Sequence, residues 1–552
     1  MATFDLDRFR RLAFGGARTL PDHPLQDTAD VEKMLAELPA APEAALAELT
    51  LWASTMNATD SFTPGRRARV LMALDGPARP LWRELARRYL APDGRPSERR
   101  DGDADILRAL FDAASQIADG FGLVLDAAAA HDSDWVKENR AKLYVRNIRW
   151  LGRRLALSHM LNLNSVGAIW ERVHRLHARA EEEGLARQIL APFEGDKATT
   201  SVRQEYARML VFELASPDSM RGRDVELAFR IAGRAAPAVR LEAKATDETP
   251  FAVLPDGDAR PGPLASLAGR KKLLYIATLP CLPRLRAMQE RDLGRDPAEP
   301  DTLFGTEYTL RERNALMERI IEHWSADAPR RRSRRVALAS EARVVSGFEA
   351  IAALIPAAEK GPLPSAKRDL QLSIDNTTLT LSRAKLRAAQ KVGPARVVDA
   401  SNGGLGLALV PREARWARHG LPVAIQIAPS TDWIVGVLRR IFSVGEEVRL
   451  GIQVLSREPR ALSVNPPEAL GTTAWEDAVK FEATFKERYR KTLLLQPQAL
   501  PLQGAEMLLP AGLVRAGTEL DVPQGGTTQR IRVTRLLEDG EHYQRALFEP
   551  AR

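Results

Sequence analysis

Apolar and polar residues follow one another in three different manners along the chain. In the first half, apolar residues return at helical spacing. Pro42 can open a helix at its first turn, and Leu46, Leu49 and Ala53 follow on one stripe. Tyr144, Ile148, Leu151 and Leu155 recur at i, i+4, i+7 and i+11 with Arg146, Arg149, Arg153 and Arg154 between them, which predicts an amphipathic helix with a solvated basic flank. Asn164-Ser165 is a capping sequence for a further helix that carries Val166, Ile169, Val173 and Leu176 and stops at Gly184. Such segments, without strong strand patterns, predict an all-α domain over 1–240.

From 241 to 328 the pattern mixes. Leu273 to Leu279 is a short apolar run stopped by Pro280, as in a buried strand; Pro255 to Pro263 has loop composition, and Leu310 to Trp324 is again helix-like. After Arg330 the period is two. Leu370, Leu372 and Ile374 alternate with polar residues, Asp375-Asn376 can turn, and Leu379 and Leu381 resume. Leu405, Leu407 and Leu409 give another strand, and Trp433 to Leu455 gives two more, joined near Gly445. Further strands are expected around Leu493, Met507, Leu520 and Ile531, with a hairpin turn at Asp539-Gly540. The expected fold class is multidomain α+β: a helical domain, a mixed α/β region over 241–328, a strand-rich region over 329–460 and a small β domain over 461–552.

Composition narrows the chemistry. The 552 residues include 80 Lys+Arg against 72 Asp+Glu, a formal charge of +8, and one cysteine, Cys281. A single thiol excludes intramolecular disulfides, zinc ribbons and iron–sulfur clusters. The first residues mix acids with bases and lack an apolar run, so they do not read as a secretory signal. The uncharged stretch Leu155 to Trp170 is shorter than the about 20 apolar residues of a membrane span. A cytoplasmic protein without a membrane span is therefore expected. The charge is concentrated in one place, Arg330-Arg331-Arg332-Ser333-Arg334-Arg335. Arginine is the informative choice there, since a planar guanidinium grips phosphate or the O6/N7 edge of guanine through paired hydrogen bonds.

A second constellation lies downstream, in Arg396-Val-Val-Asp399-Ala-Ser401-Asn-Gly403-Gly404-Leu405. Asp399 and Ser401 stand at i and i+2 on one side of a strand, and the glycines let the backbone turn and approach a ligand. A carboxylate accepts hydrogen bonds from guanine N–H groups, and a hydroxyl serves phosphate or base.

With the arginine run, the stretch from Arg396 to Ser456 resembles the PilZ family, bacterial receptors for cyclic di-GMP whose members carry RxxxR at the entry to a small β-barrel, followed by (D/N)xSxxG. The first motif maps to Arg331 and Arg335, with Arg330 and Arg334 as an alternative register. The second maps to Asp399, Ser401 and Gly404. Leu421 to Gln426, Trp433 to Ile441 and Val448 to Ser456 continue the likeness strand by strand. One departure is the length of 336–398, longer than the family usually has between the motifs. It reads as an insertion over 348–393, with Phe348 to Pro356 and Ala384 to Lys391 helical and a hairpin over 370–381, and surface insertions cost little.

The resemblance implies that Arg331 and Arg335 clamp phosphate and guanine, Asp399 and Ser401 hold the guanine edge, and Gly404 gives the backbone approach. The function it implies is a bacterial cytoplasmic signalling receptor that binds cyclic di-GMP and regulates an unidentified protein partner. The alternative is a scaffold that keeps a degenerate barrel only for protein interaction. Val437 to Ile452 also aligns with Val533 to Leu547, so 490–552 is either a degenerate second barrel, lacking both motifs, or an unrelated pair of hairpins of similar design.

Other chemistry finds little support. His174 and His177 have metal-compatible helical spacing but no third ligand, Cys281 lacks a nucleophile motif, and Gly262 to Lys272 has neither the spacing nor the position of a phosphate-binding loop. No HExxH, GxSxG, HRD or GxGxxG occurs. Neither an enzyme nor a cofactor is expected. Nucleic-acid binding is set aside because no ladder of exposed aromatics marks the strands.

Overall fold

The computed structural model of the chain describes residues 23–26, 28–60, 62–90, 103–128, 133–163, 168–326, 335–355, 392–444, 446–465, 490–496, 504–524 and 527–551. They belong to two compact units, Met1–Arg330 and Arg331–Arg552.

The first unit opens with eight helices: α1 (Thr28–Ala36), α2 (Pro42–Asn57), α3 (Pro64–Leu90), α4 (Asp103–Ala128), α5 (Asp134–Met160), α6 (Ile169–Glu182), α7 (Val202–Leu214) and α8 (Gly222–Ala235). Helix α2 begins at the expected proline and buries Leu46, Leu49 and Ala53. Helix α5 starts where the Ser133 hydroxyl accepts from the Val136 amide at 3.3 Å, a side-chain cap for one of the orphan amides of the first turn.

The short strands β1 (Arg240–Glu242), β2 (Phe251–Val253), β3 (Gly262–Pro263) and β4 (Leu274–Ala277) form an antiparallel sheet in the order β1-β4-β2-β3. Helix α9 (Leu282–Glu290), the small hairpin β5 (Pro300–Asp301) and β6 (Gly305–Thr309), and α10 (Leu310–Trp324) complete the unit. Helix α10 opens on a capping box, in which Thr309 and Glu312 satisfy each other's backbone amides. The mixed segment has no core of its own: one apolar cluster runs from Leu25 to Trp324, and the Trp324 Nε1–H donates to the Val211 carbonyl at 2.9 Å.

Two details differ from the sequence reading. Helix α6 is described from Ile169, so Asn164, Ser165 and Val166 lie outside the described residues. The basic flank of α5 is only partly solvated. Arg146 is buried and donates to Asp75 Oδ2 at 3.2 Å, Arg149 donates to Glu205 at 2.8 Å, and Arg153 donates to both Glu226 oxygens at 2.9 and 3.0 Å. Carboxylates on neighbouring helices convert an apparent surface face into an internal one.

His174 and His177 pack within the same unit. His174 Nδ1 lies 2.7 Å from the Tyr206 hydroxyl and Nε2 lies 2.8 Å from the Ala259 carbonyl, while the His177 ring stacks on Tyr206 at 4.2 Å. Burial holds both imidazoles below their ordinary pKa, His177 at about 3. Cys281 is buried and its thiol is pushed up to about 12 for the same reason.

The second unit contains a closed six-stranded barrel of β7 (Val336–Ser346), β8 (Gly393–Ser401), β9 (Gly404–Leu409), β10 (Pro422–Ile427), β11 (Trp433–Val444) and β12 (Glu447–Ser456). Around the barrel the order is β7-β8-β9-β12-β11-β10, all antiparallel, and β10 closes back on β7 with Ala424 opposite Val345. Val344, Val397, Leu405, Leu407, Ile425, Leu438 and Ile452 fill the interior.

Strands β13 (Arg460–Val464), β14 (Arg490–Leu494), β15 (Ala505–Leu509), β16 (Glu519–Gln524), β17 (Thr527–Asp539) and β18 (Gln544–Pro550) form a second sheet. Its order, β13-β14-β15-β18-β17-β16, repeats that of the barrel strand for strand, and a bridge between Asn465 and Asp521 joins its two ends.

Helix α11 (Phe348–Leu354) stands at the start of the expected insertion, but this first part is no surface appendage. Its Ile351 is fully buried with Val345, Val435 and Val437 of the barrel and Leu493, Leu508 and Tyr543 of the second sheet. The hairpin expected over 370–381 and the helix over 384–391 lie outside the described residues. Among the described residues no helix is long and apolar enough to cross a membrane.

Candidate functional site

The two motifs meet at one corner of the barrel. Asp399 lies near the end of β8, opposite Ala337 on β7 and opposite Gly406 on β9. Arg335 immediately precedes β7, and its Nη1 donates to Asp399 Oδ1. Both side chains of this pair are about a third exposed, at 30% and 31%. Solvent therefore reaches the pair, whose strength as a surface ion pair is about 0 to 1 kcal/mol, and exchange for a better partner is inexpensive.

Ser401 ends β8 and pairs with Gly404 at the start of β9, across Asn402 and Gly403. The Ser401 hydroxyl donates to the Gly404 carbonyl at 3.4 Å, a long contact that leaves it free to turn to another acceptor. At Gly404 a Cβ would lie 3.1 Å from the Ile452 carbonyl oxygen, 3.6 Å from Ser401 Oγ and 3.8 Å from Arg335 Nη2. One guanidinium, one carboxylate, one hydroxyl and a bare stretch of backbone thus converge. Of the expected set, Arg335, Asp399, Ser401 and Gly404 come together, while Arg331, like Arg330 and Arg334, lies outside the described residues.

Two residues of this corner escape a reading along the chain. A Cβ at Gly406 would stand 2.7 to 2.9 Å from the carboxylate atoms of Asp399, so glycine there is what lets the acid lie over β9. The sequence signal was present as the second glycine of Gly404-x-Gly406, in a strand otherwise rich in leucine. Arg457, beyond β12, donates from Nη2 to the Ser401 and Asn402 carbonyls at 3.2 and 3.4 Å, while the Val454 amide donates to Gly403 at 3.0 Å. These contacts hold the turn from outside, and Arg457 carries no motif.

The comparisons with known proteins bear on the other unit. Residues 29–246 match the family model described as the N-terminal domain of the cyclic-di-GMP receptor FimW. The matched segment comprises α1 to α8 and strand β1, and it ends well before the barrel. No curated protein matches the chain. The likeness is therefore to a helical domain named for such a receptor, and it is independent of the motifs that the barrel carries.

Proposed function

We propose that this chain is a cyclic di-GMP receptor of the bacterial cytoplasm, in which a PilZ-like barrel takes the nucleotide and the bound state regulates a protein partner. The observation that carries this reading is the convergence of Arg335, Asp399, Ser401 and Gly404 at one solvent-reached corner. The likeness of the helical unit to the N-terminal domain of a named cyclic di-GMP receptor supports it separately.

In the proposed mechanism the nucleotide replaces the internal ion pair. Arg335 turns from Asp399 to a phosphate oxygen or to the O6/N7 edge of guanine, joined by Arg331. Asp399, released, accepts from the guanine N–H groups, the Ser401 hydroxyl supplies a further hydrogen bond, and the backbone at Gly404 gives close approach. The second sheet, with the same strand order and neither motif, is in this reading a degenerate copy of the barrel.

Calorimetric titration of the full chain with cyclic di-GMP tests the proposal. Saturable binding is expected, and Arg335→Ala should weaken it by about 2 to 5 kcal/mol, the usual effect of removing one member of a desolvated charged contact. Absence of heat and of any thermal shift at high ligand would leave the scaffold reading in its place.

A further inference from the structure

The helical unit contains a second site of different construction. A cavity of about 340 Å³ opens between α3, α5, α7 and the segment before α7, a volume at the lower end of the range for small-molecule pockets. Five arginines and a lysine line it: Arg79 and Arg83 from α3, Arg149 and Arg153 from α5, Arg208 from α7, and Lys197. Asp196 is the one acid among the described residues of the lining.

Behind the lining, two buried carboxylates hold the guanidiniums in place. Glu205 takes Arg149 at 2.8 Å and stands 3.7 Å from Arg208, while Glu226 takes Arg153 at 2.9 Å and, on its other side, Arg230 at 2.8 Å. Arg79 pairs with Asp196 at 3.0 Å and lies over the Phe193 ring at 4.2 Å. Arg153 covers Trp82 at 4.5 Å. Arg79, Arg149, Arg153 and Arg208 are thus held by carboxylates, and the carboxylates do not equal the cations in number. At the mouth, Arg83 and Lys197 are exposed and make no hydrogen bond or ion pair among the described residues.

Burial, and then the neighbouring Arg153 and Arg149, push Arg208 down to about 9, although Glu205 pulls it the other way. Gathering like charges in a partly dry cavity costs stability that a structural ion-pair network avoids by matching its signs. An anion in the cavity removes that cost. Because arginines already cover the faces of Trp82 and Phe193, the aromatic walls offer rigidity and exclusion of water more than a stacking platform for a base.

We infer that this cavity is a binding site for a small phosphate-bearing anion of at least two negative charges, distinct from the barrel corner. Arg149, Arg153 and Arg208 form its floor, and Arg83 and Lys197 close on the ligand from the mouth. The inference stands whether or not the barrel binds nucleotide. The phosphate groups could come from inorganic pyrophosphate, a mononucleotide or cyclic di-GMP itself, which all share the chemistry that the arginines recognise.

The test is calorimetric titration of the full chain with pyrophosphate, GMP and cyclic di-GMP in turn. It is run on the natural protein, on the double variant Arg83→Ser/Lys197→Ser, and on Asp399→Ala. The mouth residues make no hydrogen bond or ion pair among the described residues, so the double variant should keep its melting temperature. At least one probe should bind saturably, at least tenfold more weakly in the double variant and unchanged in Asp399→Ala. A second variant, Arg153→Lys, keeps the charge but loses the paired geometry and should also weaken binding. The inference is overturned if no probe binds the natural protein, or if the double variant binds as the natural protein does. Cyclic di-GMP binding lost in Asp399→Ala alone, with the other probes silent, would overturn it and leave the barrel reading intact. Loss in the double variant alone would support it and move the nucleotide away from the barrel.

Discussion

Gly406 is the smallest residue with the clearest consequence. Its missing side chain is the space that the Asp399 carboxylate occupies, so Gly406→Ala forces the acid off β9 or opens the β8–β9 pairing. Cyclic di-GMP binding is expected to fall at least tenfold in that variant, with the helical unit's thermal transition unchanged; titration and calorimetry on one preparation check both. Asp75 makes a different statement. It is wholly buried between the Arg146 guanidinium and the Trp150 indole, whose Nε1–H donates to it at 2.8 Å, yet desolvation outweighs both and raises its pKa to about 6. A carboxyl whose folded pKa lies above its unfolded value near 4 stabilises the fold at low pH, and that stabilisation is lost as pH rises toward 6. Glu205, Glu213 and Glu226 are shifted the other way, because their cationic partners prevail, and they contribute stability that is lost as pH falls through the carboxylate range. Asp75→Asn should therefore make stability rise more steeply between pH 4 and 6 than in the natural protein, as read from denaturant midpoints. An unchanged slope would contradict the assignment.

At the scale of elements, α11 links two sheets by filling the space between them. Ile351 is fully exchanged from water into a core built by the barrel on one side and by β14, β15 and Tyr543 on the other. Arg439 of β11 adds a polar clamp to the same interface, donating to both Glu538 oxygens at 2.8 and 2.6 Å. Ile351→Ala should cost about 2 to 5 kcal/mol, the usual range for deleting a buried aliphatic side chain. Since the cluster around Ile351 is shared by both sheets, they are expected to lose stability together, as a single shifted transition by calorimetry. Two transitions, only one of them shifted, would show that the sheets fold independently.

On the scale of the whole molecule, positive charge is organised in three places. The arginine run before the barrel was legible at once, because it is contiguous. Arg335 is the described member of that run, and it reaches the second motif across the long stretch 336–398 because β7 pairs with β8 along its length. The ring of cations around the helical cavity was not legible: its members come from residues 79 to 208, and each alone resembles an ordinary solvated arginine or lysine. The third place is the interface between barrel and second sheet, where Arg439 meets Glu538.

The sequence by itself determined the elements and much of their class. Helical and two-residue periodicities are properties of neighbouring residues, so α2, α5, β4, α10 and the hairpin of β11 and β12 could be read directly. Asp399, Ser401 and Gly404 lie within one strand and one turn, but it was the resemblance to the PilZ family that singled them out, since their pattern alone is also that of an ordinary turn. Only the tertiary structure decided what lay across from them. It placed Arg335 on Asp399 and Gly406 beneath it, and it turned the basic face of α5 inward against Asp75, Glu205 and Glu226. It also made α11 part of a core where an appendage was expected. The reason is that a side chain's solvation and partners depend on elements distant in the chain, and the patterning of neighbouring residues carries no record of which of these will pack together.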